Sequence, residues 1–489
     1  MKKIFILLAG LFAAFATLGQ NESEALRYSF LMNSGTSRFS SLGGAFSSLG
    51  GDFSSLSTNP AGIGVYKSSD FMFTPSLSFT KATSTFNETS STDSRVSFSI
   101  PNFGFVLAKT LRGASDKKIG WKNIQYGFGF NNLANFNNQY LISGNNNTSS
   151  LLDAYCGLAN GLAPKDLNGF DTEMAWNTYL INMDTNVANK YIPAFTGNVF
   201  QQKSIETRGG INEMIVSFGG NYSDRFYLGG TLGFSFLNYK ENVYYKESDK
   251  ADTLNYFNSL LLSQRLETSG SGINFKFGFI YRIQDWVRIS GAVHTPTSYF
   301  MDDKFSSVLN SDLDTAKYES ASPKGTYSYK LTTPMRLIGG IAFVIKKQGL
   351  ISAEYEMVDY TQASFRSKAF KNDFFTTNEN IRSKYKIGNN LRIGGEVTLS
   401  PFVIRGGFSY YGSPYKEEFS RDYSVKNISA GFGIREGGFY IDFAYIHTMK
   451  KESFDLYDAN VIAQQGKYLP PALTDSHRNS FLVTIGTRF

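Results

Sequence analysis

The chain has 489 residues, 48 Lys+Arg against 41 Asp+Glu, and an unusual load of 44 Phe, 29 Tyr and 46 Gly. So many aromatics with a modest formal charge of +7 exclude intrinsic disorder. The shortage of helix-building composition argues against a coiled coil or bundle, and no concentrated basic stripe suits nucleic acid. Residues 1–19 read as a Sec-type signal: Lys2 and Lys3, an apolar run Ile4–Leu18, then Thr17-Leu18-Gly19 as a small-residue cleavage site before Gln20. Cys156 is the only cysteine, so an exported protein of this size holds together without an internal disulfide. No later run reaches the 18 or so apolar residues that a membrane helix needs.

Residues 20–68 are rich in Gly, Ser and small apolar side chains. They include Leu42-Gly43-Gly44-Ala45-Phe46, Leu49-Gly50-Gly51-Asp52 and Asn59-Pro60-Ala61-Gly62. Such a segment suits compact irregular backbone packed inside a lumen, which is tolerated at membrane depth only where protein or water surrounds it. Pro60 fixes its own φ and restricts Asn59, which defines a turn.

From residue 69 onward the pattern is alternation. Phe481, Val483, Ile485, Thr487 and Phe489 share one face of a strand, while Leu482, Thr484, Gly486 and Arg488 share the other. The same period recurs in Phe439, Ile441, Phe443 and Tyr445 against Asp442, and in Leu391, Ile393, Val397 and Leu399 against Arg392 and Glu396. An apolar, aromatic face opposite a small or charged one, over segments of about ten residues, is the dyad pattern of a transmembrane β-barrel. About fourteen strands are expected, from 69–80 to 477–489. Short turns are expected at Ser223-Asp224-Arg225, Gln284-Asp285, Lys347-Gln348, Pro401 and Glu436-Gly437. Long external connections are expected at 81–94, 144–204, 248–261, 304–324, 367–388 and 456–476. The fold class is therefore all-β: an antiparallel barrel, residues 69–489, around an N-terminal hatch.

The hatch segment resembles that of the FadL/TodX family of outer-membrane transporters for long-chain fatty acids and other hydrophobic compounds. The resemblance is carried by the glycine-rich Leu-Gly-Gly pair and by Asn59, Pro60, Ala61 and Gly62. It extends to Gly129-Phe130-Asn131-Asn132-Leu133-Ala134-Asn135-Phe136, which is similar to that family's kinked third strand. The resemblance implies a fourteen-stranded barrel, capture of ligand by external loops, release by hatch movement, and sideways exit through a gap at the kink. Asn59, Pro60, Ala61 and Gly62 are then hatch and gating residues, and Asn131, Asn132 and Asn135 mark the gap.

Two apolar loop patches are candidates for ligand capture: Leu151, Leu152, Tyr155 and Leu158, spaced for one helical face, and Phe257, Leu260 and Leu261. The competing expectation is that they pack the loops together. Arg288, Arg392 and Arg405 are placed in the lumen as candidates for an anionic headgroup. The alternative for them is a wall-stiffening ladder with Glu354, Glu356, Glu396 and Asp442. No hydrolase, metalloprotease or phosphate-loop motif is present, so no enzyme activity, cofactor or metal is expected.

The sequence thus predicts a monomeric barrel of the bacterial outer membrane. Its expected partners are a hydrophobic small molecule, outer-membrane lipid and lipopolysaccharide, and the barrel-assembly machinery, the last read from the C-terminal Phe489. No energy-coupling segment is recognisable, so uptake is expected to be passive. The alternative function is a non-transporting barrel that docks exported proteins or surface partners through its external loops.

Overall fold

The computed structural model describes residues 21–111, 119–345, 348–367, 373–417 and 423–489. The signal expected at 1–19, Lys347 of one expected turn, and much of two further expected connections, a longer turn at 110–120 and a short loop at 417–422, lie outside them.

Fourteen antiparallel wall strands close into a barrel. In order they are Asp70–Phe86, Thr89–Thr110, Trp121–Asn135 continued by Asn138–Asn146, Val199–Tyr222, Phe226–Ser248, Ser259–Gln284, and Val287–His294 continued by Ser298–Asp312. The eighth is Gly325–Thr332 continued by Arg336–Ile345, and the ninth is Gly349–Asp359 continued by Ser364–Ser367. Ile387–Leu399, Phe402–Tyr411, Val425–Glu436, Phe439–Phe454 and Ala472–Arg488 complete the wall. The first pairs with the last, from Asp70 opposite Arg488 to Thr85 opposite Leu473, so the sheet has no edge at its seam. Closure satisfies backbone groups that hydrocarbon cannot.

Alternation maps onto the two faces as expected. In the last strand Phe481 and Ile485 are about half exposed on the outside, while Leu482 and Thr484 are buried. Both ends of the barrel wall lie together, with Ser69 and Phe489 joined by two backbone hydrogen bonds of 3.0 Å. The short turns at 223–225, 285–286, 400–401 and 437–438 lie at that same end.

Two expected external loops are corrected. The 81–94 segment is a continuation of both strands into a two-residue turn, where Asn87 and Glu88 take positive φ of 43° and 65°. Its Ser/Thr-rich residues form a hairpin that carries no apolar outward face, so the hydrophobic period that marks a spanning strand fades there. The 304–324 segment likewise extends the seventh strand to Asp312 and returns as Lys317–Ala321. The connection expected at 144–204 is shorter, because the strands run to Asn146 and resume at Val199.

At the end away from the termini, the long connections build a cap. Helices Leu151–Ala159, Thr172–Asn177 and Ala459–Gln464 and a small sheet of Ile181–Met183 with Tyr191–Pro193 pack over the mouth. Ser150 caps the first helix in a capping box with Asp153, and Glu247 of the fifth wall strand accepts from Ser150 Oγ at 2.5 Å and Leu151 N at 2.9 Å. A carboxylate at a helix N-terminus satisfies donors that the helix leaves free.

Candidate functional site: the hatch seat and the broken third strand

The N-terminal segment lies within the barrel, and its short elements are set by local capping. Asn21, Thr36, Asp52 and Asn59 each accept a backbone N–H at the start of Glu22–Ser29, Ser37–Ser41, Phe53–Ser57 and Pro60–Val65. Asn59 with Pro60 combines a side-chain cap with a first residue that has no N–H to satisfy. The two Leu-Gly-Gly repeats are two turns of left-handed backbone: Gly43, Gly44, Gly50 and Gly51 have φ of 63°, 79°, 62° and 66°. Only glycine takes that conformation cheaply.

The expected hatch residues Asn59, Pro60, Ala61 and Gly62 are brought together against the wall. Asn59 Nδ2 donates to Ser47 O (2.7 Å) within the hatch and to Phe279 O (3.1 Å) of the sixth wall strand. The wall makes room with glycine, since a Cβ on Gly278 would lie 2.0 Å from Asn59 Oδ1. One on Gly229 would lie 2.3 Å from Pro60 O. Glycine on a lumen-facing strand position here marks the close approach of a second backbone.

Charged side chains complete the seat. Arg38 of the hatch makes a two-pronged contact with Glu396 (2.9 and 3.1 Å), which also holds Arg405 (2.7 Å), which in turn holds Asp442 (2.6 Å). Arg392 bridges Glu354 and Glu356, both at 2.5 Å. Glu354 accepts from Ser47 N (2.8 Å), while Arg336 links Glu356 (2.9 Å) to Ser29 O (2.5 Å). Glu213 holds Lys276 and accepts from Ser57 Oγ at 3.2 Å, and Arg288 donates to Leu49 O at 3.1 Å. The three candidate headgroup residues therefore sit in the lumen, with Arg392 and Arg405 engaged by wall carboxylates and Arg288 by the hatch backbone. Sequence reasoning missed Arg38, Ser47, Ser57 and Glu213, because nothing in their local spacing shows that they meet across the lumen.

The third wall strand breaks after Asn135. Asn135 Oδ1 accepts from Asn137 N (2.9 Å), while Phe136 keeps its pairing to Gly209 O (2.9 Å). Below the break, the ladder with the second strand runs from Asn102 opposite Asn131 to Thr110 opposite Asn123. Above it, Asn138–Asn146 pairs with the fourth strand only, among the described residues. That upper piece leans inward, where Arg478 of the last strand reaches Asn138 Oδ1 (2.8 Å) and Tyr140 OH reaches Glu452 (2.7 Å). The backbone of 89–101 is thus left facing a gap crossed by side chains, such as Ser91 to Ser143 at 2.6 Å.

The hatch is bonded to this break. Met32 N donates to Leu133 O (3.1 Å) and Ser34 N to Asn132 O (3.0 Å). Asn131 Nδ2 donates to Ser57 Oγ (2.8 Å) and Asn131 Oδ1 accepts from Asn102 Nδ2 (2.5 Å), while Asn132 Nδ2 donates to Asn212 Oδ1 (2.9 Å). Asn131, Asn132 and Asn135 therefore share one neighbourhood, where strand end and hatch meet.

All the candidate capture residues but Leu261, on the sixth wall strand, pack in the cap. Leu151, Leu152, Tyr155, Phe257 and Leu260 are buried in one apolar core with Met174, Leu180 and Ile462, and Leu158 and Leu261 are half-buried. A cavity of about 470 Å³ lies elsewhere, on the outward face of the wall, with Gly291 and Gly339 between Phe279 and Tyr355. Two cavities lined by hatch and wall residues measure about 30 and 10 Å³.

No protein-family model matches the chain, and no curated protein matches it. Solved structures do. A FadL homologue of Pseudomonas aeruginosa is similar over 94% of this chain and 100% of its own, with 11% identity and a TM-score of 0.55. The toluene transporters TbuX of Ralstonia pickettii and TodX of P. putida each cover 93% of this chain and 98% of their own. Their identities are 13% and 11%, and their TM-scores 0.51 and 0.52. The chain has the fold of the FadL/TodX family: a closed fourteen-stranded barrel with its N-terminal segment inside.

Proposed function

We propose that this barrel is an outer-membrane channel for passive uptake of small hydrophobic molecules, with long-chain fatty acids as the first substrate class to test. The observation that carries this reading is the bonding of the hatch to the broken third strand, through Met32–Leu133, Ser34–Asn132 and Ser57–Asn131. A wall gap tied to a movable plug is a means of releasing an apolar ligand sideways. Such a ligand loses free energy of transfer if it must enter water, and a lateral exit keeps it in an apolar phase. Asn59, Pro60, Ala61 and Gly62 act in this scheme as the pivot of the hatch against Gly229 and Gly278. Asn131, Asn132 and Asn135 line the exit.

The fold supports the reading, since the similar structures include proteins described as toluene transporters. The burial of the loop leucines in a packed cap favours a second reading, docking of an exported protein or surface partner on that cap.

Uptake of labelled oleate and labelled toluene separates the two. It is measured in cells with the gene, without it, and with Asn59→Ala and Pro60→Ala together, at matched surface levels. Gene-dependent uptake that falls in the hatch variant supports transport. Uptake that is identical with and without the gene, for both compounds, overturns it in favour of docking.

A further inference from the structure

Height by height across five neighbouring strands, the outward apolar belt comes to an end. On the second, first, fourteenth, thirteenth and twelfth strands, one transverse row is Phe98, Leu77, Phe481, Tyr445 and Ala430. The next row toward the cap is Val96, Phe79, Asn479, His447 and Ile428. The row beyond is Ser94, Lys81, His477, Met449 and Lys426. Apolar side chains thus give way, within two rows, to two lysines and two histidines. Phe79, Phe481 and Ile428 are 41%, 50% and 54% exposed on the belt immediately below.

The two lysines are not spent on the protein. Among the described residues, neither Lys81 nor Lys426 is in an ion pair, although other outward cations are. Arg208 pairs with Glu206, Arg265 and Lys240 with Glu267, and Lys317 with Asp312. The one carboxylate in the following row, Asp475, stands opposite Lys451. The histidines are held in place: Asn479 Oδ1 accepts from Tyr445 OH and faces His447 Nδ1, both at 2.8 Å. His447 Nε2 lies 3.5 Å from His477 Nδ1. With neighbouring strands about 4.8 Å apart, Lys81 and Lys426 flank this pair across three strand spacings, and their long stems can converge over it.

We infer that this patch binds the phosphate of an outer-leaflet lipid, whose acyl chains lie on Phe79, Phe481 and Ile428 below. An anionic headgroup supplies the missing counter-charge at the height where headgroups meet the apolar belt, and each cation near such a surface adds measurably to binding. The patch is remote from the hatch seat, so this inference stands independently of the uptake reading.

The test uses the purified full barrel in neutral detergent, with bound lipid counted by native mass spectrometry. Phosphatidic acid and phosphatidylcholine of the same chains are titrated separately. Phosphatidic acid is expected to be retained about tenfold more strongly, and Lys81→Gln with Lys426→Gln to remove that preference. Lys240→Gln with Arg265→Gln, whose cations already pair with Glu267, is expected to leave the preference intact. Heat-modifiable gel mobility confirms that each variant is a closed barrel. Equal retention of the two lipids by the unaltered protein, or an unchanged preference in the Lys81/Lys426 variant, overturns the inference. Equal loss in both double variants does so too, because it makes the effect one of general charge.

Discussion

The two ends of the lumen are filled by different physics. At the hatch, directional polar contacts (Arg38 on Glu396, Ser47 on Glu354, Asn59 on Phe279 O) stand beside small apolar clusters such as Phe39, Leu42, Phe46 and Leu49. At the cap, an apolar core of Leu151, Leu152, Met174, Phe257 and their neighbours dominates, with one carboxylate, Glu247, anchoring its first helix. Apolar packing is insensitive to direction and resists small displacements everywhere at once. Polar contacts can be exchanged one by one, for water or for one another, so the proposed hatch movement would draw on contacts of this kind. A buried charge pair is weak evidence for net stability but costs heavily when one partner is removed. In the proposed hatch movement, that asymmetry would let each pair act as a separate latch.

The largest effect is expected from Glu396→Ala, which strips the acceptor shared by Arg38 and Arg405. Leaving two buried guanidinium groups short of a partner costs about 3–5 kcal/mol. It is read as faster hydrogen exchange over the hatch, with exchange in the cap unchanged. Leu152→Ala, at a fully buried cap position, is expected to cost about 2–5 kcal/mol. Here protease nicking within 147–198 increases while hatch exchange stays put. If either substitution loosens both regions equally, the contrast between them fails.

A smaller loss is expected from Asn59→Ala. It removes a cap worth about 1 kcal/mol together with the bonds to Ser47 and Phe279. Hatch exchange again reports it, and no change would remove Asn59 from the pivot. The most local effect is a pH dependence at Glu24 in the helix Glu22–Ser29. Burial, reinforced by Asp303 and Glu241 and opposed by Arg27, pushes its carboxyl from an ordinary 4.5 up to about 8. The docked helix therefore holds a proton that the undocked helix releases. Docking is strongest below about pH 4.5 and weakens as the pH rises toward 8. Exchange over residues 22–29 should quicken across that range, and Glu24→Gln should flatten the profile.

Much of the wall was legible because lipid imposes a strict period. Phe481 and Ile485 face out while Leu482 and Thr484 face in, as the alternation requires. Strand length was legible only while one face stayed apolar. Beyond that, Lys81–Phe86 and Thr89–Ser94 read as loop although they pair as strand to the turn at Asn87. Breaks in adjacent seventh, eighth and ninth strands, at 295–297, 333–335 and 360–363, were also missed, although Pro296 and Pro334 were there to be read. The ladder of Arg392 and Arg405 with Glu354, Glu396 and Asp442 could be anticipated, since lumen-facing charges of opposite sign lay on neighbouring strands. Arg38 could not be, because its partner is 358 positions away. The loop leucines read equally well as a capture surface or a core. Only their mutual packing distinguishes the two.

The most direct test of the hatch-to-gap coupling is a disulfide across it. Ser57 and Asn131 touch through Oγ and Nδ2 at 2.8 Å. Ser57→Cys with Asn131→Cys, in a Cys156→Ser background, would lock the hatch to the strand end. Gene-dependent uptake of labelled oleate or toluene, whichever the intact barrel carries, should stop on oxidation and return on reduction, while either single cysteine stays active. Undiminished uptake through the oxidised, fully cross-linked barrel would contradict release by hatch movement at the third strand.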